Sequence, residues 1–222
     1  MNRAIAIAAL ASALFIARPA AAQQSGWTDY SPSKTLFTMG YQISEPIGDL
    51  KSYTPGTSFR GVTFDWRSML SRSFSLGLRF NWNRWNDNAS QVSATVTPGG
   101  TPAGATPGTL TGPVFRYADQ FALQAVGHFY FGDRESLFIP FAGVGLGGVW
   151  SNSYQQTIDL GFSQNGFYFI STPELGLLWN FSRGRTSAAL HLSVLYNFTT
   201  ASFRNVSNAQ ALVETMGLTV SY

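Results

Sequence analysis

The chain has no cysteine, only two histidines, and few charges for its length. Without cysteine there is neither a disulfide framework nor a thiolate metal centre. Two imidazoles fall short of an ordinary zinc site, so no metal, cofactor-binding or catalytic set is assigned. Charged residues make up 11% of 222, which leaves too few for the basic stripe of a nucleic-acid binder. Also lacking, beyond the first twenty-two residues, is any continuous apolar run of the ~20 residues that a helical membrane span needs. Yet 45% of the residues are hydrophobic and 15% aromatic, and there are 22 glycines, while the mean hydropathy stays near zero. A chain so aromatic, so little charged and so dispersed in its apolar residues is suited to hiding a lipid-facing surface in alternation.

Met1 to Ala22 read as a secretory signal. Arg3 is basic, Ala4 to Ala17 are apolar, and Ala20-Ala21-Ala22 offers a small-residue cleavage site. The apolar run is too short to span a bilayer as a helix. Loss of Arg3 and Arg18 leaves twelve basic against eleven acidic residues, so the formal charge of +3 falls to near +1. That balance argues against a nucleic-acid partner. Residues 23–34 show no period and are expected to form a periplasmic N-terminal tail. Residues 35–222 are expected to form one domain.

The last strand organises the reading. Leu212, Met216, Leu218, Val220 and Tyr222 share one parity, and Val213, Thr215, Gly217, Thr219 and Ser221 share the other. One face is greasy and the other small and mostly polar, as period-two alternation requires. The pattern recurs upstream. Strands are expected near Thr35–Ser44, Phe59–Met69, Phe74–Arg84, Asp119–Phe131, Leu137–Trp150, Gly166–Phe181 and Ser187–Thr199, with the eighth at Leu212–Tyr222. The connections alternate long and short. An even number of strands, apolar outward and polar inward, predicts an all-β fold: an eight-stranded antiparallel up-and-down transmembrane β-barrel. The Thr-, Gly-, Ala- and Pro-rich stretch 86–113 reads as a long flexible outer loop. Pro140 and Pro173 fall inside strands, where a closed barrel has no edge to hide them. A bulge or a lost ladder bond is expected at each, with a change of parity if the bulge adds a residue.

Pro140-Phe-Ala-Gly143-Val-Gly145-Leu-Gly147, Pro173-Glu-Leu-Gly176 and the aromatic-ended last strand resemble the small eight-stranded outer-membrane barrels, the superfamily of OmpA, OmpX, OmpW and opacity-type proteins. The resemblance implies residence in the outer membrane of a Gram-negative-type bacterium. It also implies contact with outer-membrane lipid and lipopolysaccharide, and insertion by the barrel-assembly machinery, with Leu218, Val220 and Tyr222 as the C-terminal insertion signal. It names no surface partner.

Inward parity places Asp65, Arg67, Arg79, Gln124, His128, Tyr168, Glu174 and His191 in the lumen as a polar network. Charges removed from water need partners, so the first reading is a largely plugged, non-enzymatic barrel with a structural or surface-interaction role. A narrow passive channel for small or hydrophobic solutes is the alternative. The spacing of His191 and Ser193 puts a base and a hydroxyl on one strand face, but with no acid nearby in sequence, so a lipid-modifying enzyme is the third reading. Arg60, Arg84 and Arg204 lie near outer strand ends and are candidates for lipopolysaccharide phosphates. The inward glycines of the fifth strand are expected to make room for arginine side chains.

Overall fold

A computed structural model describes residues 35–96, 108–132, 136–157, 160–181, 187–203 and 206–222. The secretory signal and the N-terminal tail expected from the sequence lie outside these residues. The eight strands are β1 (Thr35–Ile47), β2 (Gly61–Met69), β3 (Phe74–Val96), β4 (Gly108–Tyr130), β5 (Phe138–Thr157), β6 (Leu160–Asn180), β7 (Ser187–Thr199) and β8 (Gln210–Ser221). Each pairs antiparallel with its sequence neighbour, and β1 pairs with β8, which closes the barrel. A short helix, α1 (Asp49–Tyr53), follows β1.

Alternation produces the two faces. On β2, Gly61, Thr63, Asp65, Arg67 and Met69 are buried inward, while Phe64 and Trp66 are exposed. On β8, Val213, Thr215, Thr219 and Ser221 are buried, while Met216 and Leu218, and Tyr222 just past its end, are exposed. The exposed aromatic and aliphatic band clothes the outside of the wall, as lipid requires. At the seam, Phe37 faces Val220 and Met39 faces Leu218, and Thr35 and Tyr222 exchange two backbone hydrogen bonds. The seam is tight. A Cβ on Gly217 would lie 2.5 Å from the Met39 carbonyl oxygen and 2.7 Å from Gly40 Cα.

Strand length divides the wall in two. A tilted strand crosses a bilayer in roughly 9–11 residues. β1, β2, β7 and β8 have 9 to 13 residues, whereas β3 to β6 have 20 to 23. Half of the wall therefore continues past the rim. This corrects the loop expected over 86–113: β3 runs on to Val96 and β4 resumes at Gly108, with a register shift between Ala89 and Val92. The stretch 151–165, expected as a loop, is likewise mostly the continued β5–β6 hairpin. The end carrying Thr35, Tyr222 and the short connections is the turn end, and the opposite one the loop end.

The prolines do not change parity. Pro140 pairs with Leu177 in unbroken β5–β6 register, and its carbonyl accepts from Phe131 N–H at the end of the β4–β5 ladder. Pro173 keeps register with Val144, but the β6–β7 ladder skips from Ser171–Phe198 to Glu174–Leu195. The cost is thus local pairing at Thr172 and Pro173, with no bulge, and every inward residue of β5 and β6 keeps its face. The tightness of the seam carries a test. Gly217→Ala should destabilise the folded barrel by about 1–3 kcal/mol through overpacking against β1 backbone. Gly127→Ala, whose Cβ would meet nothing nearer than the Phe74 ring at 3.4 Å, should stay within about 0.5 kcal/mol. Urea midpoints in detergent micelles measure both.

Candidate functional site

Cross-strand register builds the lumen site. Asp65 on β2 stands opposite Arg79 on β3, and Arg79 stands opposite Gln124 on β4. Glu174 arrives from β6, three strands further round, so Arg79 has to reach across the lumen to meet it. Its Nη2 donates to Asp65 Oδ2 at 2.8 Å and to Glu174 Oε2 at 2.6 Å, and its Nε donates to Asp65 Oδ2 at 3.1 Å. Arg67 Nε faces Asp65 Oδ1 at 3.0 Å. The remaining Arg67 nitrogens donate to His128 Nδ1, to the Tyr130 hydroxyl at 2.8 Å and to Thr38 Oγ1 at 3.0 Å. Two arginines thus balance two carboxylates, and these four side chains are at most 3% exposed.

The partners assign the His128 tautomer. Nδ1 accepts from Arg67, so Nε2 carries the proton and donates to Glu174 Oε2 at 2.9 Å; Arg79 Nη2, 3.2 Å from the same nitrogen, is then a neighbour that spends its hydrogens on the carboxylates. Its ring has room because Gly143 stands opposite; a Cβ there would lie 2.1 Å from His128 Cδ2. The neighbouring Gly145 makes room for Gln124. The fifth-strand glycines therefore accommodate His128 and Gln124, and the expectation that they admit arginines is corrected: the atoms nearest a Cβ at Gly143 or Gly145 belong to neither arginine.

Toward the loop end lies a layer of neutral hydrogen bonds. Thr63 donates to Asn81 Oδ1, Asn81 Nδ2 to Gln124 Oε1, Gln124 Nε2 to Thr172 Oγ1, and Thr172 Oγ1 to Asn197 Oδ1. The last of these joins β6 to β7 where Pro173 interrupts the backbone ladder. Gln42 links Asn83 to Thr215 across the β1–β8 seam. The space bordered by Thr38, Asp65, Arg79, Glu174 and Leu195 admits no water-sized sphere.

Apolar caps close both ends. At the loop end, Leu50 and Tyr53 of α1 pack with Trp85, Phe203 and Val206, and the Tyr53 and Phe203 rings meet edge-on at 5.3 Å. At the turn end, Met69, Tyr130, Ile139, Phe141 and Leu178 form a second cluster. Sequence reasoning missed both caps. Trp85 was legible as inward by parity from Asn81 and Asn83; the α1 and 201–209 contributions carried no periodic signal.

Of the lumen residues named from the sequence, seven meet in or beside this cluster. Tyr168 does not. It lies nearer the loop end, where its hydroxyl donates to the Ser202 carbonyl at 3.0 Å. The rim also differs from expectation. Arg84 is bound to Asp119 by two hydrogen bonds of 2.6 Å and lies 5.0 Å over the Tyr117 ring, so its fork is already occupied. Arg60 is exposed and has no ion pair among the described residues. Arg204 lies outside the described residues.

Folding does bring an acid to His191 and Ser193. His191 Nε2 is 3.1 Å from Ser193 Oγ and 3.4 Å from Glu174 Oε1. In a working triad the acid orients the ring nitrogen that does not touch the hydroxyl. Here both partners crowd Nε2, Nδ1 has no hydrogen-bond partner, and the group is sealed in the lumen. Among the described residues no group of three His, Asp or Glu side chains is placed to hold a metal ion.

This architecture, a closed eight-stranded barrel with an apolar exterior and a polar lumen, is that of the small outer-membrane β-barrels. Solved structures with the same fold include Ail, the attachment invasion locus protein of Yersinia pestis, in complex with sucrose octasulfate. It is 13% identical, with a TM-score of 0.53 over 86% of this chain and 99% of that one. Neisserial surface protein A (10% identity, TM-score 0.49, 86% and 98% covered) and OprG of Pseudomonas aeruginosa (14%, 0.43, 86% and 96%) align less closely. No protein-family model and no curated protein matches the chain. The fold by itself leaves the activity open.

Two expectations follow from the geometry. Arg79→Ala strands two buried carboxylates and should cost about 3–5 kcal/mol of folding stability, read as a lowered urea midpoint. At the loop end, outside the membrane-spanning strands, the Ser207 hydroxyl at 2.5 Å and its N–H at 3.2 Å bond Asp49 and hold its carboxyl below the usual carboxylate value. A depressed folded value means the clasp is complete above the unfolded pKa of about 3.9. It is lost as pH falls through the lower folded value. The protection of Ser207 N–H from hydrogen exchange, taken relative to the intrinsic rate at each pH, should therefore fall on acidification below about pH 4, and Asp49→Asn should remove that dependence.

Proposed function

We propose that this chain is an outer-membrane protein with a closed lumen, acting as a structural or surface-interaction element and not as an enzyme or an open pore. The observation that carries the reading is Arg79, hydrogen-bonded at once to Asp65 and to Glu174 three strands round the wall. A solute path down the lumen would have to break both ion pairs and displace both apolar caps. Separating buried paired charges costs several kcal/mol, so a passive channel finds little support here. The crowded His191 Nε2 and its burial count against the lipid-modifying reading. By the usual arrangement of such barrels, the turn end faces the periplasm and the raised β3–β6 wall stands outside. That wall is the part of the molecule available to other surfaces. Arg60, exposed at the rim, is the candidate for lipopolysaccharide phosphate, since Arg84 is committed to Asp119.

Planar-bilayer recording from refolded protein tests the closed lumen. Heat-modifiable gel migration identifies the folded form. The expected trace is silent. Discrete current steps from protein shown to be folded would overturn the reading in favour of the channel.

A further inference from the structure

On the outside of the raised wall the apolar pattern stops at one place on each strand. Trp82, Phe121, Trp150 and Phe167 stand side by side across β3 to β6, and Trp82 stacks on Phe121 with ring centroids 6.3 Å apart. They end the lipid-facing run, where a barrel carries its aromatic girdle. One step of the alternation nearer the loop end, the same outward parity gives Arg84, Asp119, Asn152 and Asn165. The change from apolar to polar is thus complete on all four strands.

The next outward step holds a feature that lipid does not call for. Tyr117 and Tyr154 are cross-strand partners, and their rings stack at 5.1 Å with 22° between the planes. Arg84 lies 5.0 Å over the Tyr117 ring, and the Tyr154 hydroxyl reaches Gln156 Oε1 at 3.4 Å. Beside them β6 carries Ser163 and Gly161, and a Cβ on Gly161 would come within 2.8 Å of the Tyr154 hydroxyl. Small residues therefore leave room for the ring. Both rings stay half-exposed, with Asn165 and Gln156 exposed near them. Arg84 and Asp119, the charges on this face among the described residues, neutralise each other at 2.6 Å.

Height decides what such a face meets. Tyr117 lies four residues beyond Phe121, and Tyr154 four beyond Trp150. At about 3.4 Å per residue along a strand tilted roughly 35–45°, four residues climb roughly 10 Å. The polar layer of a leaflet is about 5–8 Å deep. The tyrosine pair therefore stands just past the phosphates, against whatever projects furthest from the lipid around the barrel. On a glycolipid that is the saccharide. A phosphate calls for an uncommitted cation, and among the described residues this face has none. An uncharged sugar ring packs its C–H side on the electron-rich face of an aromatic, and its hydroxyls pair with amides that both donate and accept. Tyr117 and Tyr154 offer the first; Asn152, Asn165 and Gln156 offer the second.

We propose that the outward face of the raised β3–β6 wall binds uncharged sugar rings of the surrounding outer-leaflet glycolipid, stacked on the Tyr117–Tyr154 pair. The inference rests on the outer-membrane reading and the orientation given above, and does not depend on the lumen being closed.

The test reconstitutes the barrel with an equimolar mixture of two lipopolysaccharides. One is trimmed to lipid A and its acidic inner sugars; the other is extended by uncharged sugars. Native mass spectrometry of folded, heat-modifiable protein counts the glycolipid retained. The expected result is at least a fivefold preference for the extended form. Tyr117→Ser with Tyr154→Ser should bring the ratio near one, and Tyr117→Phe with Tyr154→Phe, which keeps the rings, should preserve it. Arg60→Ala should lower retention of both forms and leave their ratio unchanged. Failure of that last effect alone would remove Arg60 as the phosphate contact and leave the sugar face standing. Equal retention of the two forms by the unmodified barrel would overturn the proposal. So would retention of neither, or a preference that survives the serine pair. Should the serine pair fail to fold, Tyr154→Ser alone is read by the same criteria.

Discussion

An arginine reaching across a narrow barrel constrains everything around it. Arg79 has to be neutralised inside a wall where water is scarce, and one carboxylate does not exhaust its donors. Asp65 on the adjacent strand takes two of its hydrogen bonds, and Glu174 from across the lumen takes a third. Glu174 then needs His128 and His191 beside it. Arg67 secures Asp65 and His128 from the other side and reaches Tyr130 and Thr38. Elements β1, β2, β3, β4, β6 and β7 are tied to one charge-balanced cluster. In a low-dielectric interior such a set is favourable only when nearly all its members are satisfied. The wall accommodates it: Gly143 gives space to the His128 ring, and the strand register is unbroken around both prolines.

The cluster also explains the layers above and below. Polar residues continue upward as neutral hydrogen bonds, then give way to apolar caps that keep bulk water from competing with the ion pairs. The loop-end cap is assembled from residues remote in sequence, α1 with Ala201, Phe203, Val206 and Ala209, held together by the Tyr53–Phe203 contact and by Asp49 bonding Ser207. Closing the lumen is thus shared between charge pairing in the middle and apolar packing at the ends. The raised β3–β6 wall rises past both and braces the loop-end cap: the Tyr53 hydroxyl donates to the Tyr154 carbonyl at 3.0 Å, and Arg116 lies 5.6 Å over the Tyr53 ring.

Strand faces were legible because a period of two needs only a few residues to declare itself. Phe74, Leu76, Leu78, Phe80 and Trp82 against Ser75, Gly77, Arg79, Asn81 and Asn83 define β3 without any tertiary information. The lumen residues followed from the same parity. Their pairing did not, because Arg79 and Glu174 are ninety-five residues apart and only the closed ring brings them together. The same ring brings Glu174 to His191, an acid invisible from local sequence. The extension of β3 and β4 was illegible for another reason: Thr, Gly and Ala around Ala89 and Gly108 carry no hydrophobic alternation, and their pairing rests on backbone bonds. Arg84 misled because outward parity does not say whether a neighbour such as Asp119 already holds the guanidinium.

The most direct test of the central claim is a double-mutant cycle between Arg79 and Glu174, using Arg79→Met, Glu174→Gln and the double variant, with unfolding free energies measured in micelles. A shared, closed charge cluster predicts non-additivity well above the ~0.5 kcal/mol typical of independent sites, with the double variant more stable than the sum of the single losses implies. Strict additivity would show that the two side chains do not act on each other across the lumen, and the account of a barrel held shut by its own charges would fail.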